Sequence, residues 1–170
     1  MHNEYKNSFI PSVIESWNNL PSELIISASM DSFKVNLRAY LFSRNVPLHF
    51  CVGARVSSIF HTRLRLGHST LACHLFSHGL SDDQRCECGF EKEDVCHYFL
   101  QCDRFAAHRV DLLSCFSQVL QLDLPVLLQM KNFLLGIILN GSSDLSFEEN
   151  TALFLAVQHY ITKSRRFSLN

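Results

Sequence analysis

"RCECGFEKEDVCHYFLQC", residues 85–102, packs five Cys and His residues into eighteen positions: Cys86, Cys88, Cys96, His97 and Cys102. Zinc asks for four soft or borderline ligands at tetrahedral corners, about 2.0–2.3 Å from the metal. Cys86 and Cys88 point to opposite faces of a strand, and on a helix they lie about 200° apart. They converge only through a turn, for which Gly89 supplies a permissive backbone; Glu87 then faces outward. His97 and Cys102 lie about 140° apart on an ideal helix, so a helix is expected to end between them. Cys96 and Cys102 lie about 120° apart, which is no better. Spacing alone leaves a three-Cys, one-His site and a four-Cys site both open, with Cys73, His74 and His78 as outside ligands. The competing reading is a set of buried reduced thiols.

Outward from this stretch, the chain has 170 residues, seven Cys and 47% hydrophobic residues, enough for a core. No apolar run approaches the roughly eighteen residues of a membrane span, and the N-terminus lacks a basic-then-apolar signal pattern. The expectation is an intracellular protein, nuclear or cytoplasmic and not secreted, with reduced thiols. The net charge of −1 conceals an asymmetry. From Ser32 to Ser81 there is no Asp or Glu, while Lys34, Arg38, Arg44, Arg55, Arg63 and Arg65 all fall there. The acids Asp82, Asp83, Glu87, Glu91, Glu93 and Asp94 follow at once. A basic segment of this kind suits an anionic partner, RNA or DNA; its plain alternative is a solvated helix face.

The rest reads as helix. Pro11 suits a first helical position ahead of Val13, Ile14 and Trp17, and Pro21 closes that segment. Asp31 or Ser32 is expected to cap a helix carrying Phe33, Leu37, Tyr40 and Leu41. After Pro47, "LHFCVGARV" is ambiguous between strand and loop. Val56, Ile59, Phe60 and Leu64 recur at helical spacing and are expected in the core, with Gly67 at the C-terminal cap. A short helix with Leu71 and Leu75 ends at Gly79. Phe105–Leu120 presents Leu112, Leu113, Phe116 and Leu120 inward. Pro125 starts a further apolar helix. Ser146 and Glu149 form a capping box for a last helix with the stripe Leu153, Phe154, Val157, Tyr160 and Ile161. Lys163, Arg165 and Arg166 sit at its cation-favouring end. The expected fold is mainly α, a small helical domain with an embedded CCHC-type zinc knuckle. Its expected segments are residues 1–50, 51–120 and 121–170. Asp82 and Asp83 read as a solvated turn and not a magnesium site, and no phosphate-binding glycine loop is present.

"HTRLRLGHSTLACHLFSHGLSDDQRCECGFEKEDVCHYFLQCDRFAAHR", residues 61–109, resembles the C-terminal region of non-LTR (LINE-type) retrotransposon reverse transcriptases. That pattern runs from a basic T/A-R-L-R segment through a CxC…H-x-F-x-x-C knuckle to a trailing aromatic and Arg. "FIPSVIESWNNLP" and "DSFKVNLRAYLF" resemble elements that follow the polymerase domain, and "TALFLAVQHYITKSRRF" resembles the closing helix. The resemblance implies a zinc held by Cys86, Cys88, His97 and Cys102, with Cys96 incidental. It also implies a tail that helps a reverse transcriptase hold template RNA or target DNA. Arg55, Arg63, Arg65, Lys34 and Arg38 are the expected contacts. The partners are then nucleic acid and the rest of the reverse transcriptase, with no membrane. Neither the polymerase palm nor an endonuclease is recognisable, so the chain is expected to be a detached, non-catalytic piece. The alternative is a helical protein-interaction module whose zinc is purely structural; a zinc hydrolase is a weaker rival, because four candidate ligands leave no open position.

Overall fold

The computed structural model describes Asn18, residues 20–43 and residues 52–167, with backbone alone for Arg38 and residues 41–43. The helix expected after Pro11, the Pro47 break and the first half of "LHFCVGARV" lie outside the described residues. The described residues are mainly helical and contain no strand. The chain divides into two units, Met1–Arg44 and Asn45–Asn170. In the first, α1 (Ser22–Ile25) buries Leu24, and α2 spans Met30–Ser43. The cap of α2 is neither Asp31 nor Ser32. The Ser29 carbonyl accepts from Phe33 N at 2.9 Å, and the Ser29 hydroxyl accepts from Ser32 N at 3.1 Å. Ser29 therefore satisfies an otherwise orphaned donor of the first turn.

The second unit contains α3 (Arg55–Arg65), α4 (Ala72–Ser77), α5 (Ala106–Leu120), α6 (Leu124–Gln129), α7 (Lys131–Asn140) and α8 (Phe147–Ser164). Its centre is α8, which packs against α5, α3 and α7. The capping box forms as expected: the Ser146 hydroxyl accepts from Glu149 N, and the Glu149 carboxylate accepts from Ser146 N. Leu153, Phe154, Val157, Tyr160 and Ile161 are all buried. So are Leu112, Leu113 and Phe116 of α5. The apolar run after Pro125 is two helices, because Met130 (ψ 44°) leaves helical geometry between α6 and α7.

α3 departs from the expected phase. Phe60, His61 and Leu64 are buried, whereas Val56 and Ile59 are 44% and 40% exposed. A buried imidazole needs a partner, and His61 Nε2 lies 2.8 Å from the Ile138 carbonyl of α7. Burial lowers the His61 pKa to about 4, so the ring is neutral at physiological pH. Gln158 of α8 donates to the Val52 carbonyl at 2.8 Å. Gly53 adopts φ +78°, a conformation that favours glycine, and a side chain there would run into the buried Gln158 amide where the strand-or-loop segment passes α8.

One ion pair fastens the end of α8 to the middle of the chain. Glu93 accepts from Arg166 Nε at 2.7 Å and from its terminal nitrogen at 2.6 Å. Glu93 also accepts from Ala72 N, the first residue of α4, at 2.8 Å, and Arg166 donates to the Thr70 carbonyl at 2.8 Å. Burial works to raise the Glu93 pKa, but the Arg166 and Ala72 hydrogen bonds hold it below the usual carboxylate range. A carboxyl depressed in the folded state contributes stability above its unfolded pKa and loses it as pH falls through the folded value. Glu93→Gln is expected to cost about 3 kcal/mol at neutral pH, since it leaves a guanidinium without its counter-charge. Urea unfolding at several pH values checks this: the gap between wild type and variant should close as pH drops below the carboxylate range.

Candidate metal centre

The first pair of thiols is brought together by a tight turn. Cys86 N donates to the Phe90 carbonyl, and Gly89 N to the Cys86 carbonyl, both at 2.9 Å. Gly89 adopts φ +93°, as a reversal this sharp requires. Glu87 points away and pairs with Arg104 at 2.7 Å.

The second pair arises at the expected helix end, by way of a π turn that the spacing does not foretell. Asp94 starts the segment, its carboxylate accepting from His97 N at 2.8 Å and its carbonyl from Tyr98 N at 2.9 Å. The chain then widens into a π turn over His97–Gln101, closed by Cys102 N donating to the His97 carbonyl at 2.7 Å. That bond spans five residues and sets Cys102 against His97, where an α-helix would have turned them apart. The helix widens and then ends at Gln101, between the two ligands as expected; Cys102 is extended (ψ 120°), and Asp103 opens the next segment. The carbonyls that this distortion frees are recruited by the core. Arg109 of α5 donates to Phe99 O and Cys102 O, and the Tyr160 hydroxyl of α8 donates to Tyr98 O at 2.6 Å. Tyr98 and Phe99 are fully buried against Tyr160, with Tyr98 also against Phe105 and Phe167.

Cys86, Cys88, His97 and Cys102 thus converge, with ligand atoms all within 4.8 Å of one another. Cys86 Sγ lies 3.7 Å from Cys102 Sγ, and Cys88 Sγ lies 3.3 Å from His97 Nε2. A tetrahedron with metal–sulfur bonds of about 2.3 Å has sulfurs roughly 3.8 Å apart, and slightly shorter sulfur–nitrogen edges. These two edges match a tetrahedral site, so the four residues form a donor set that could hold a metal ion. His97 Nδ1 is buried without a hydrogen-bond partner among the described residues, and Phe90 stacks on the ring at 4.4 Å and 8°. Burial pushes the Cys86 thiol up and the Cys102 thiol up to about 12, and it lowers the His97 imidazole. The Phe90 backbone amide draws Cys88 down. Left alone, the buried thiols resist ionisation; a divalent cation would reverse that, since a coordinating thiol is deprotonated outright.

Cys96 is outside the cluster, half-buried against the core with its thiol pushed up by burial. The outside candidates Cys73, His74 and His78 are not part of the cluster. His74 Nδ1 lies 2.8 Å from Ser69 Oγ, and His78 Nε2 lies 3.0 Å from Gly67 O. Asp83 folds into a local turn with Ser81 and Arg85. Sequence reasoning missed the roles of Glu93 and Arg166, charged residues that read as surface. Arg109 closes the motif that carries the resemblance, but nothing in its spacing marks it as a donor to the π turn.

The basic residues fall in both units. Arg55 and Arg63 are exposed on α3, and Arg65 is half-buried there. Lys34 pairs with Asp31 at 3.5 Å on the exposed side of α2, and the Arg38 side chain lies outside the described residues.

No family model matches the chain, and no solved structure matches it. Among curated proteins, the chain is 47% identical over 47 residues to a "Retrovirus-related Pol polyprotein from type-1 retrotransposable element R1 3" of Nasonia vitripennis. The match covers 27% of this chain and 12% of that polyprotein, so the chain spans a small part of its relative. It supports a retrotransposon-related origin. No helix among the described residues is long and apolar enough to cross a membrane.

His97→Ala is expected to abolish stoichiometric metal binding, because it removes one tetrahedral corner, whereas Cys96→Ser should retain it. Elemental analysis of both proteins purified without chelator decides the point. Metal kept by His97→Ala and lost by Cys96→Ser would reassign the fourth ligand to Cys96.

Proposed function

We propose that this chain is a non-catalytic nucleic-acid-binding tail of a LINE-type reverse transcriptase, stabilised by a structural zinc in a CCHC knuckle. The reading is carried by the convergence of Cys86, Cys88, His97 and Cys102 in a chain that shares 47 residues of close similarity with a retrotransposon Pol polyprotein. Bound there, zinc would supply a four-coordinate cross-link between the Cys86–Gly89 turn and the π turn. Structural zinc sites are closed in this way, whereas catalytic ones keep a position for water.

The acid-free basic segment supports nucleic acid as the partner. α3 holds Arg55 and Arg63 in solvent, and phosphate contacts of this kind position a strand without reading its bases. Arg55, Arg63 and Arg65 are the main contacts in this reading, with Lys34 and Arg38 secondary. A second reading is a helical protein-interaction module whose zinc is purely structural, and the outward-facing Val56 and Ile59 of α3 favour it.

Salt dependence separates the two. Each phosphate contact releases condensed counterions, so log K falls by about 0.7 per contact per log unit of salt on a single strand. Replacing Arg55, Arg63 and Arg65 together by Gln should flatten that slope by up to roughly 2 for labelled RNA or DNA. Fluorescence anisotropy over a salt series is the measurement. A wild-type chain that binds neither, or binds with no salt slope, favours the protein-interaction module.

A further inference from the structure

Cys86 Sγ lies 4.0 Å from Glu93 Oε1, and that same oxygen accepts from Arg166 Nε at 2.7 Å. The other Glu93 oxygen accepts from Ala72 N at 2.8 Å, and Arg166 donates to the Thr70 carbonyl at 2.8 Å. Beside Arg166, Phe167 packs on Phe60 at 5.7 Å and on Tyr98 at 5.2 Å. One chain of contacts therefore runs from a candidate ligand sulfur, through a carboxylate and a guanidinium, to the first residue of α4 and to the residues after α8.

Burial decides which charges the cluster feels. Side-chain exposure is 4% for Glu93 and 19% for Arg166. The pairs Arg85–Asp83, Lys92–Asp94 and Arg104–Glu87 have side chains that are all at least 35% exposed, and water screens such pairs. Charges held out of water act far more strongly on their neighbours. A metal-bound histidine is ordinarily steadied by a hydrogen bond to its second ring nitrogen. His97 Nδ1 has no such partner among the described residues. The buried polar support falls instead on the side of Cys86.

Taking Cys86, Cys88, His97 and Cys102 as the ligands of the proposed zinc, we infer that Glu93 and Arg166 form the outer shell of that centre and couple its occupancy to docking of the chain after α8. Three thiolates and a neutral imidazole leave a divalent ion with one net negative charge. Glu93 opposes that charge, Arg166 favours it, and together they balance. Neither is a ligand; each is a positioning residue acting through Cys86. Coupling is reciprocal, so a metal ion favours the docked Arg166 to the extent that the docked Arg166 favours the metal.

The test uses the full chain and Co²⁺, whose tetrahedral thiolate complexes absorb visible light, with Zn²⁺ as competitor. Arg166→Gln should weaken metal affinity roughly ten- to hundred-fold, because Glu93 then faces the cluster unbalanced. Arg166→Lys keeps the charge and loses the paired geometry. It should retain most of the affinity even though its unfolding midpoint falls. Glu93→Gln, where circular dichroism shows it folded, should bind as tightly as wild type or more tightly; the two Arg166 variants decide the point if it does not fold. In wild type, removal of metal by a chelator should speed hydrogen exchange at the Ala72 amide and at residues 165–167. Equal losses of affinity in Arg166→Gln and Arg166→Lys would reduce the pair to a fastening and overturn the inference. Unchanged affinity in Arg166→Gln, or exchange at Ala72 that is indifferent to metal, would do the same and leave the metal reading standing. A wild-type chain that takes up neither Co²⁺ nor Zn²⁺ sinks both.

Discussion

The Glu93–Arg166 pair is the fastening on which the rest of the second unit depends. Residues 79–94 form no helix, so nothing regular fixes their path. One carboxylate supplies the fixing, because it accepts from Arg166 twice and from the first amide of α4. The same carboxylate lies 4.0 Å from Cys86 Sγ, so the fastening and the donor cluster share an atom's neighbourhood. A hydrophobic pair of equal volume could match its stability. It could not also satisfy the α4 amide and, through Arg166, the Thr70 carbonyl. Direction, more than energy, is what a buried ion pair contributes here.

The acids and bases that alternate in blocks along the sequence separate by use in the fold. Asp83 is occupied by Arg85, Asp94 by Lys92 and the His97 amide, Glu87 by Arg104, and Glu93 by Arg166. The acidic block beside the knuckle is therefore spent largely on local structure. It is not returned to the basic block, and Arg55 and Arg63 face solvent on α3. A net charge of −1 for the chain coexists with exposed arginines on α3 because many of the neutralising carboxylates are engaged elsewhere.

α8 was legible in the sequence down to its cap: Ser146 and Glu149 form the capping box at its start, and the five apolar residues at helical spacing all meet the core. α3 was legible as a helix but not in its phase. Val56, Ile59, Phe60 and Leu64 make one plausible stripe; Phe60, His61 and Leu64 make another. The choice depends on the Ile138 carbonyl, 77 residues away, which makes His61 a core residue. The Ser29 cap was missed for a more local reason: Asp31 and Ser32 are also good capping residues, and only backbone geometry selects among three candidates in four positions. The Cys86–Gly89 turn could be argued from residue types, because two thiols one residue apart have no other way to converge. The helix end between His97 and Cys102 could be argued too, because about 140° on an ideal helix would keep them apart. The π turn that precedes that end could not, because arithmetic at about 100° per residue presumes an α-helix.

That π turn explains how a donor cluster comes to lie between long apolar segments. A five-residue loop closure leaves carbonyls without helical partners, and unsatisfied carbonyls are costly beside a core. Arg109 from α5 and Tyr160 from α8 accept the task, so the two helices that pack most closely hold the distorted turn in place. His97 and Cys102 are thereby preorganised by the helical core, while Cys86 and Cys88 sit on a turn secured by two backbone hydrogen bonds of its own and by the contact with Glu93. The two halves of the cluster are built by different means, one by tertiary packing and one by local reversal. A metal ion bridging them would join the least regular part of the chain to its most densely packed part, which is the mechanical role that four protein ligands and a closed coordination sphere suit.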